Sequence, residues 1–412
     1  MGKKANNLKA TPVKDTALVK EIMTRGVTDV IPADLFEKKL RTGERMRIYL
    51  GVDPTGPDIH LGHAVILRKL AQLQELGHEI ILLIGDFTAR IGDPTDRSAA
   101  RVTMKPEEIA ANAKTYKQQA GKILDFSAKS KNPARMEFNS KWLEKMTFHD
   151  VLELASLFTV QQMLERDMFQ ERIKADKPIH LHEFLYPVMQ GYDSVAMDVD
   201  MEVGGNDQLF NMLAGRTLQK SLNDREKTVM TFELLEGTDG RKMSKSYENV
   251  VGVMDEPVEM FGKVMSLSDE LIPKYFWLCT DYTKADLNGV ERSLQRGDNP
   301  RDMKICLARQ IVMLYHSEKA ANEAEKEFLQ VFQKKEKPTE MPTHKVSAKD
   351  KTLVDLMVSA GVAKSKSEAR RLIEQGGVRL NDKKITDRDA VPSYRDGDVL
   401  QVGKRKFVRL RA

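Results

Sequence analysis

An unbroken apolar run at residues 80–84, IILLI, constrains the fold of this chain more than any other feature. Such a run is typical of a parallel strand that is covered on both faces, since a strand with one wet face alternates apolar and polar residues. Residues 47–52 predict an earlier buried strand. Between the two strands, apolar residues recur at helical spacing until Gly77, which is a typical helix stop: Ile66, Leu67, Leu70, Leu73 and Leu76. Strand, helix, strand in this order predicts a βαβ unit and therefore an α/β fold.

The 412 residues are long for one core, and their patterns predict several segments. An extension (1–29) precedes an α/β domain (30–250) that carries a helical insertion at about 104–170. A helical domain (251–332) and a polar linker with two prolines (333–350) follow. The last segment (351–412) predicts a small α+β module, with a helix at 367–375 and short strands at 378–380, 399–402 and 407–410.

The positive charge of the chain is concentrated at its C-terminal end. Residues 351–412 hold 15 Lys or Arg and 8 Asp or Glu, a balance of +7, whereas the rest of the chain has a balance of −2. A basic module on a nearly neutral body indicates a polyanionic partner. The alternative is an ordinary solvated charged surface.

Composition also limits the class of protein. The polar, basic start lacks the apolar segment of a secretory signal, and no apolar run reaches the roughly 18 residues of a membrane span. We therefore expect a cytoplasmic protein without a membrane partner. Cys279 and Cys306 are too few for a cysteine-based zinc site, and we expect reduced thiols rather than a disulfide.

A histidine motif follows the first predicted strand. Residues 58–63 read DIHLGH and lie where a parallel strand feeds the N-terminus of a helix, a position that favours anions. His60 and His63 share one face of the first helical turn, and Gly62 lets a ligand approach the backbone. Two other interpretations are a capped helix with incidental histidines and a metal-binding pair.

A lysine motif lies about 180 residues later. Residues 242–246 read KMSKS and follow the glycine-flanked run GTDG. Two lysines three residues apart, with hydroxyls beside them, suit a mobile clamp on phosphates. Considered alone, the loop could equally be a solvated basic turn.

A third pattern places polar residues on one face of an apolar helix. Tyr186, Gln190 and Asp193 are spaced by four and three residues, and the glycine-rich run GGNDQ follows at 204–208. Such a trio on a solvated surface is common, but the apolar neighbours at 184–189 favour the wall of a pocket.

The histidine and lysine motifs, in this order and context, resemble the signature pair of class I aminoacyl-tRNA synthetases. With the third pattern, the chain from about residue 30 to its end resembles bacterial-type tyrosyl-tRNA synthetases. The resemblance implies a Rossmann-like parallel-sheet catalytic domain, a helical tRNA-binding domain and a small C-terminal α+β RNA-binding module. It implies that tyrosine and ATP form tyrosyl-adenylate and pyrophosphate, and that tyrosine then passes to the 3′ end of tRNA(Tyr). It further implies Mg²⁺ with ATP, no resident metal and a homodimer.

The resemblance also assigns residues. It places Tyr49, at the rim of the pocket, and Asp193 at the phenolic hydroxyl of tyrosine. It places these residues at the rest of tyrosine: Thr88, Asp93, Tyr186, Gln190 and Gln208. It places these at ATP: Gly51, Asp53, Thr55, His60, Gly62, His63, Gly205, Asp207, Lys242, Met243, Ser244 and Lys245. His60, His63, Lys242 and Lys245 are the implied catalytic groups, and Arg97 and Arg101 are implied to lie near the tRNA end or phosphates.

Three other functions compete with this interpretation. A tryptophanyl-tRNA synthetase would lack the C-terminal module and would not need Tyr49 and Asp193 at a phenol. A small-molecule nucleotidyltransferase would leave that module and the pocket helix unexplained. A non-catalytic RNA-binding paralogue would tolerate loss of the histidines or lysines, and both motifs are intact.

Overall fold

The structure is a computed structural model that describes residues 9–95, 104–243, 247–333, 341–347, 350, 352–381, 383–387, 390, 394–403 and 406–411, with backbone only at 331–333. The chain divides into two compact units, Met1–Ala321 and Asn322–Ala412.

The first unit is built on a six-stranded sheet. Its strands are β1 (Val27–Ile31), β2 (Arg47–Val52), β3 (Glu79–Ile84), β4 (Arg135–Phe138), β5 (Met201–Gly205) and β6 (Thr228–Phe232). They lie in the order β1-β6-β5-β2-β3-β4, and all neighbours are parallel except β1 and β6. The predicted α/β fold with its parallel sheet is confirmed.

Helices cover the sheet and form the rest of this unit. They are α1 (Thr16–Thr24), α2 (Ala33–Thr42), α3 (Leu61–Glu75), α4 (Thr88–Ile91), α5 (Pro106–Ala113), α6 (Tyr116–Ala120), α7 (Ser140–Leu143), α8 (Phe148–Ala155), α9 (Val160–Leu164), α10 (Asp167–Lys174), α11 (Leu181–Ala196), α12 (Leu209–Asn223), α13 (Pro257–Met265), α14 (Ile272–Cys279), α15 (Lys284–Gln295) and α16 (Pro300–Tyr315). Helix α17 (Glu318–Gln333) spans the boundary between the two units.

The predicted βαβ unit is β2, α3 and β3. Strand β3 has five consecutive buried residues, as its unbroken apolar run predicts. Helix α3 ends just before Gly77, whose φ of 93° lies in the left-handed region that glycine adopts without strain. The local pattern was therefore sufficient to predict this unit.

The insertion at 104–170 is not entirely helical. It contains β4, which pairs in parallel with β3 and extends the sheet at its edge. The prediction missed this strand because β4 is four residues long and its side chains are at most half-buried, so it lacks an apolar run.

The order of the strands sets the place of a ligand site. From β2 the chain moves outward through β3 and β4, and it then returns to β5 on the other side of β2. Such a reversal opens a crevice at the carboxyl ends of β2 and β5, which is where open α/β sheets bind ligands.

The second unit contains a five-stranded sheet and two short helices after the end of α17. Its elements are β7 (Thr343–Lys345), α18 (Leu353–Ser359), α19 (Lys366–Glu374), β8 (Val378–Leu380), β9 (Lys383–Ile385), β10 (Val399–Val402) and β11 (Lys406–Arg411), with the strand order β7-β11-β10-β8-β9. Both helices pack on a core that includes Leu356, Ile373 and Leu400. Strand β7 lies in the range 333–350 that the sequence indicates as a linker, and it pairs in parallel with β11.

Both cysteine thiols are free; Cys279 is buried, whereas Cys306 is half-buried. Within the described part of the chain, no helix combines the length and the apolar character that crossing a bilayer requires.

Candidate functional site

A cavity of about 430 Å³ lies in the crevice at the ends of β2, β3 and β5. Every predicted site residue that the structure describes lines it: Tyr49, Gly51, Asp53, Thr55, His60, Gly62, His63, Thr88, Asp93, Tyr186, Gln190, Asp193, Gly205, Asp207, Gln208, Lys242 and Met243. Ser244 and Lys245, and likewise Arg97 and Arg101, lie outside the described residues. The size is in the range of small-molecule sites, roughly 300–1,000 Å³.

The deep end of the cavity is formed by Tyr49 and Asp193. The hydroxyl of Tyr49 lies 3.1 Å from Ser194 Oγ. Asp193 accepts hydrogen bonds from Trp142 Nε1 at 2.7 Å and from Asn139 Nδ2 at 3.3 Å. The expectation that Tyr49 lies at the rim is wrong: its side chain is 0% exposed, because β2 is an interior strand between β3 and β5.

Burial dominates the electrostatics of this end. It raises the pKa of Asp193 well above its ordinary value, although hydrogen bonds from Trp142 and Asn139 act in the opposite direction. Burial, reinforced by the Glu202 and Asp193 carboxylates, also raises the pKa of Tyr49. Tyr49 is therefore a neutral phenol at physiological pH, and Asp193 gains from any ligand hydroxyl that donates to it.

The middle of the cavity is organised around Asp53. Its two carboxylate oxygens accept hydrogen bonds from Tyr186 Oη at 2.8 Å and from Thr88 Oγ1 at 2.7 Å. Asn139 Nδ2 in turn donates to Thr88 Oγ1 at 3.0 Å. Gly85 makes this arrangement possible, since a Cβ at that position would overlap both Asp53 Oδ1 and Thr88 Oγ1. Asp53 lies in the loop between β2 and α3, and it therefore links this loop to α4 and α11.

Two glutamine side chains are oriented by carboxylates. Gln190 Nε2 donates to Glu202 Oε1 at 3.0 Å, and Gln208 Nε2 donates to Asp93 Oδ2 at 2.7 Å. Gln208 uses its other end to accept from Asn211 Nδ2 at 3.0 Å. With its nitrogen turned to Glu202, Gln190 presents a carbonyl oxygen, which suits a cationic ligand group.

His60 and His63 lie at the N-terminus of α3. His60 is the residue before its first turn, and its backbone N–H donates to His63 Nδ1 at 3.4 Å. That bond places the proton of a neutral His63 ring on Nε2. The capping interpretation therefore applies, and it is compatible with the ligand-site interpretation. The centres of the two rings lie 3.9 Å apart with their planes tilted by 31°, and no cluster of three metal-ligating side chains occurs among the described residues.

Lys242 reaches the mouth of the cavity from the lysine motif. Its Nζ lies 2.8 Å from Asp207 Oδ2, and its side chain is 39% exposed. The next residue, Met243, is buried in the cavity wall. Lys242 therefore places a cation at the more open end, opposite the buried Tyr49 and Asp193.

Several polar residues of the site were not predicted from the sequence: Asn139, Trp142, Ser194, Glu202 and Lys227. Ser194 and Glu202 had a detectable signal, because Ser194 follows Asp193 on α11 and Glu202 precedes the glycine-rich run. The other three come from segments without a recognisable motif.

Comparison with known proteins gives two family matches. The profile described as "tRNA synthetases class I (W and Y)" matches residues 41–333, and the one described as "Tyrosine--tRNA ligase SYY-like C-terminal domain" matches residues 333–409. The tyrosine–tRNA ligase of Moorella thermoacetica is 49% identical over 395 residues, which cover 94% of each chain. That of Thermotoga maritima is 49% identical over 394 residues, covering 95% of this chain and 96% of the relative.

Solved structures share the fold. A C-terminally truncated mitochondrial tyrosyl-tRNA synthetase from Aspergillus nidulans aligns with a TM-score of 0.64 and 24% identity, over 77% of this chain and 95% of that one. A tyrosyl-tRNA synthetase from Archaeoglobus fulgidus, complexed with L-tyrosine, aligns with a TM-score of 0.59 and 23% identity, over 76% of this chain and 100% of that one.

Proposed function

The chain belongs to the tyrosine–tRNA ligases of class I, and from this membership we propose that its cavity holds tyrosine at the deep end and ATP at the mouth. The enzyme activates tyrosine with ATP and then charges tRNA. Our division of the cavity rests on how exposure changes along it. Tyr49 and Asp193 are 0% and 2% exposed, whereas the side chain of Lys242 is 39% exposed. The side chain of the amino acid is distinguished best in a pocket without water, whereas the triphosphate of ATP and the pyrophosphate product need access to water.

The deep end suits the phenol of tyrosine. A phenolic hydroxyl both donates and accepts one hydrogen bond, and Asp193 can accept from it while Tyr49 donates to it. Gln190 offers its carbonyl oxygen, and Asp93 its carboxylate, to the ammonium group of the substrate. Phenylalanine would leave the buried Tyr49 and Asp193 unpaired, which is costly in a dry site.

The mouth suits ATP. The N-terminus of α3 and the Nε2 of His63 favour anionic phosphates, and Lys242 adds a positive charge. We propose that Asp207, which Lys242 contacts, receives the ribose of ATP and that Gly51, Thr55, Gly62 and Gly205 line the nucleotide. Mg²⁺ enters as part of its complex with the phosphates of ATP, since Mg²⁺ commonly depends on substrate phosphates for several of its ligands.

The first step then needs no general base. The tyrosine carboxylate is ionised at neutral pH, so its oxygen attacks the α-phosphorus of ATP directly, and the bond to the β-phosphate breaks. Negative charge grows on the departing pyrophosphate, where His60, His63, Lys242 and Lys245 stabilise it. In the second step a ribose hydroxyl at the 3′ end of tRNA(Tyr) attacks the tyrosyl carbonyl carbon, and AMP leaves.

Substitutions at the deep end test the tyrosine assignment. We expect Tyr49→Phe to narrow the preference for tyrosine over phenylalanine by about tenfold, the worth of one neutral hydrogen bond. Asp193→Asn should narrow the preference more, because the amide is a weaker acceptor than the carboxyl group and can present an N–H to the phenol instead. The measurement is ATP–pyrophosphate exchange with both amino acids. If both variants keep the wild-type preference, the phenol is recognised elsewhere.

We propose that residues 351–412 bind tRNA together with the helical domain at 251–332. The described basic side chains of this module that face water include Lys366 and Arg370 on α19, Arg379 on β8, and Arg409 and Arg411 on β11. In β11 they alternate with residues of the core, so the strand turns its charges outward. Lysine and arginine in this arrangement attract the phosphates of RNA. The cytoplasm is the proposed location, since tRNA is charged where protein is made.

We also propose that the enzyme is a homodimer. Helices α8 to α11 expose large apolar side chains, among them Phe148 (78%) and Leu181 (79%), and also Leu152, Val160 and Ile173. Beneath them, these helices share a core that includes Leu154, Met163 and Val188. Apolar groups of this size exposed on a folded surface are typical of an interface, and a twofold contact would bury the same surface on both subunits.

Charges in this surface should separate the subunits. We expect Phe148→Asp with Leu181→Asp to weaken dimerisation at least about 10²-fold, because each large apolar side chain contributes roughly 1.5–3 kcal/mol when buried. Sedimentation velocity over a range of protein concentrations measures the change. Leu222→Asp is the matched control, since Leu222 is an exposed leucine at the end of α12. A double variant as dimeric as the wild type would place the interface elsewhere.

A further inference from the structure

A buried ion pair lies behind the deep end of the cavity. Lys227 immediately precedes β6 and its side chain is 0% exposed, and its Nζ contacts the Glu202 carboxylate on β5. The same ammonium donates to Ser194 Oγ at 2.7 Å and to the backbone oxygen of Met212 at 3.1 Å. Three acceptors thus use all three N–H groups of the lysine.

Stability alone is a weak explanation for this pair. Moving two charges out of water costs about as much as their attraction returns, and an apolar pair of similar size is often at least as stable. The neighbouring helix is nonetheless shaped around the lysine: a Cβ on Gly215 of α12 would collide with Lys227 Nζ. The fold therefore makes room for a cation at this point.

The partners of Lys227 are themselves the partners of pocket residues. Ser194 Oγ lies 3.1 Å from the hydroxyl of Tyr49, and Glu202 Oε1 accepts from Gln190 Nε2 at 3.0 Å. One residue thus separates Lys227 from each of the residues proposed for the two ends of the amino acid: Ser194 from Tyr49 at the phenol, and Glu202 from Gln190 at the ammonium.

The chemistry of the ammonium group gives this network a direction. A lysine ammonium only donates, so Ser194 accepts from it; in the direction that we assign, the serine hydroxyl then donates its hydrogen to the oxygen of Tyr49. Tyr49 then has its own hydrogen to donate, to the Glu202 carboxylate beside it or, in its place, to the oxygen of a ligand in the cavity. On the other branch, Glu202 accepts from Lys227 and from the nitrogen of Gln190, which fixes that nitrogen and turns the oxygen of Gln190 towards the cavity.

We propose that Lys227 is a positioning residue for amino-acid selection, which through Ser194 and Glu202 makes Tyr49 a donor and Gln190 an acceptor towards the bound tyrosine. A one-way chain results: Lys227 donates to Ser194, Ser194 to Tyr49, Tyr49 to the substrate oxygen, and the substrate hydroxyl to Asp193. Phenylalanine lacks the hydroxyl that stands between Tyr49 and Asp193 in this chain of hydrogen bonds, and it therefore interrupts the chain. The inference rests on the proposed placement of tyrosine at Tyr49, Gln190 and Asp193.

Lys227→Met tests the role with a side chain of similar length and no charge. We expect the KM for tyrosine to rise about tenfold and the tyrosine-to-phenylalanine preference to narrow about tenfold, since one oriented hydrogen bond is lost at each end. The KM for ATP should stay within about twofold. The assay is pyrophosphate exchange with each amino acid in turn.

Lys69→Met is the matched control. Lys69 is also a buried lysine, but its Nζ donates to the backbone oxygen of Ile22 at 2.8 Å, and it does not line the cavity. It should lower the melting temperature and leave the amino-acid preference unchanged. Equal changes in preference for both lysine variants would show a general loss of packing and overturn the proposal.

Two further variants test the role of Lys227 if Lys227→Met folds poorly. Ser194→Ala cuts the chain to Tyr49 and leaves the ion pair in place, so it should narrow the preference without a large loss of stability. Lys227→Met with Glu202→Gln removes both charges together and should recover stability but not the preference. A wild-type preference in both variants overturns the role of Lys227. If Tyr49→Phe and Asp193→Asn are also without effect, the placement of tyrosine itself fails.

Discussion

Replacing Lys242 with alanine should slow the formation of tyrosyl-adenylate by about 10²- to 10³-fold, the usual cost of losing one group that stabilises developing charge. Lys242 already reaches the mouth of the cavity, where its Nζ lies 2.8 Å from Asp207. We expect the ribose of bound ATP to compete for Asp207 and so to release the lysine towards the phosphates. The charge it then stabilises grows only as pyrophosphate departs, so tyrosine affinity should hardly change.

Rapid quenching of a single turnover measures this rate separately from tyrosine binding. Arg241→Ala is the matched control: Arg241 is the adjacent cation of the same loop, but it pairs with Asp239 and is largely exposed. It should change the rate by less than about threefold. An unchanged rate in Lys242→Ala would refute the proposed role of Lys242 at the phosphates. Lys245, which lies outside the described residues, would then be the remaining lysine of the motif for that role.

Removing the chain beyond residue 333 should leave pyrophosphate exchange intact and reduce tRNA charging by on the order of 10²-fold or more. Every described residue that lines the cavity belongs to the first unit, so we expect activation not to need the second. The basic balance of +7 is carried by residues 351–412, and each lost phosphate contact weakens binding and its salt dependence.

Charge substitutions in the full chain separate loss of charge from loss of the module. Arg370→Gln with Arg409→Gln alters two exposed residues on α19 and β11 without touching the core of the unit. This variant should bind tRNA more weakly and with a flatter dependence on salt concentration. Normal charging of tRNA by the truncated protein would exclude the module from recognition.

How far the sequence predicts this molecule depends on whether the information is local. The unit of β2, α3 and β3 follows from an apolar run and a helical period, and the cavity residues follow from short motifs that the fold brings together. Strands β4 and β7 were not predicted, because each is three or four residues long and exists through its pairing with a distant strand. Tyr49 was placed at the rim for the same reason, since its burial depends on β5, which lies about 150 residues later.

Lys227 is a stronger example of the same limit. In the sequence it belongs to the polar run NDREKT at 223–228, which has the composition of a solvated turn. Its burial depends on Glu202, on Ser194 and on the space that Gly215 leaves. No period or motif in a single sequence encodes that combination.

The contact between Trp142 and Asp193 has an optical consequence. The chain has only two tryptophans, and one of them donates its indole N–H to the carboxylate proposed to bind the phenol, at 2.7 Å. The other, Trp277, lies under the guanidinium of Arg25 at 4.5 Å from the ring centre, on α14. Trp277→Phe therefore leaves a single tryptophan, located at the carboxylate that we propose distinguishes tyrosine from phenylalanine. Amino-acid binding can then be followed in the unlabelled enzyme, before any chemical step takes place.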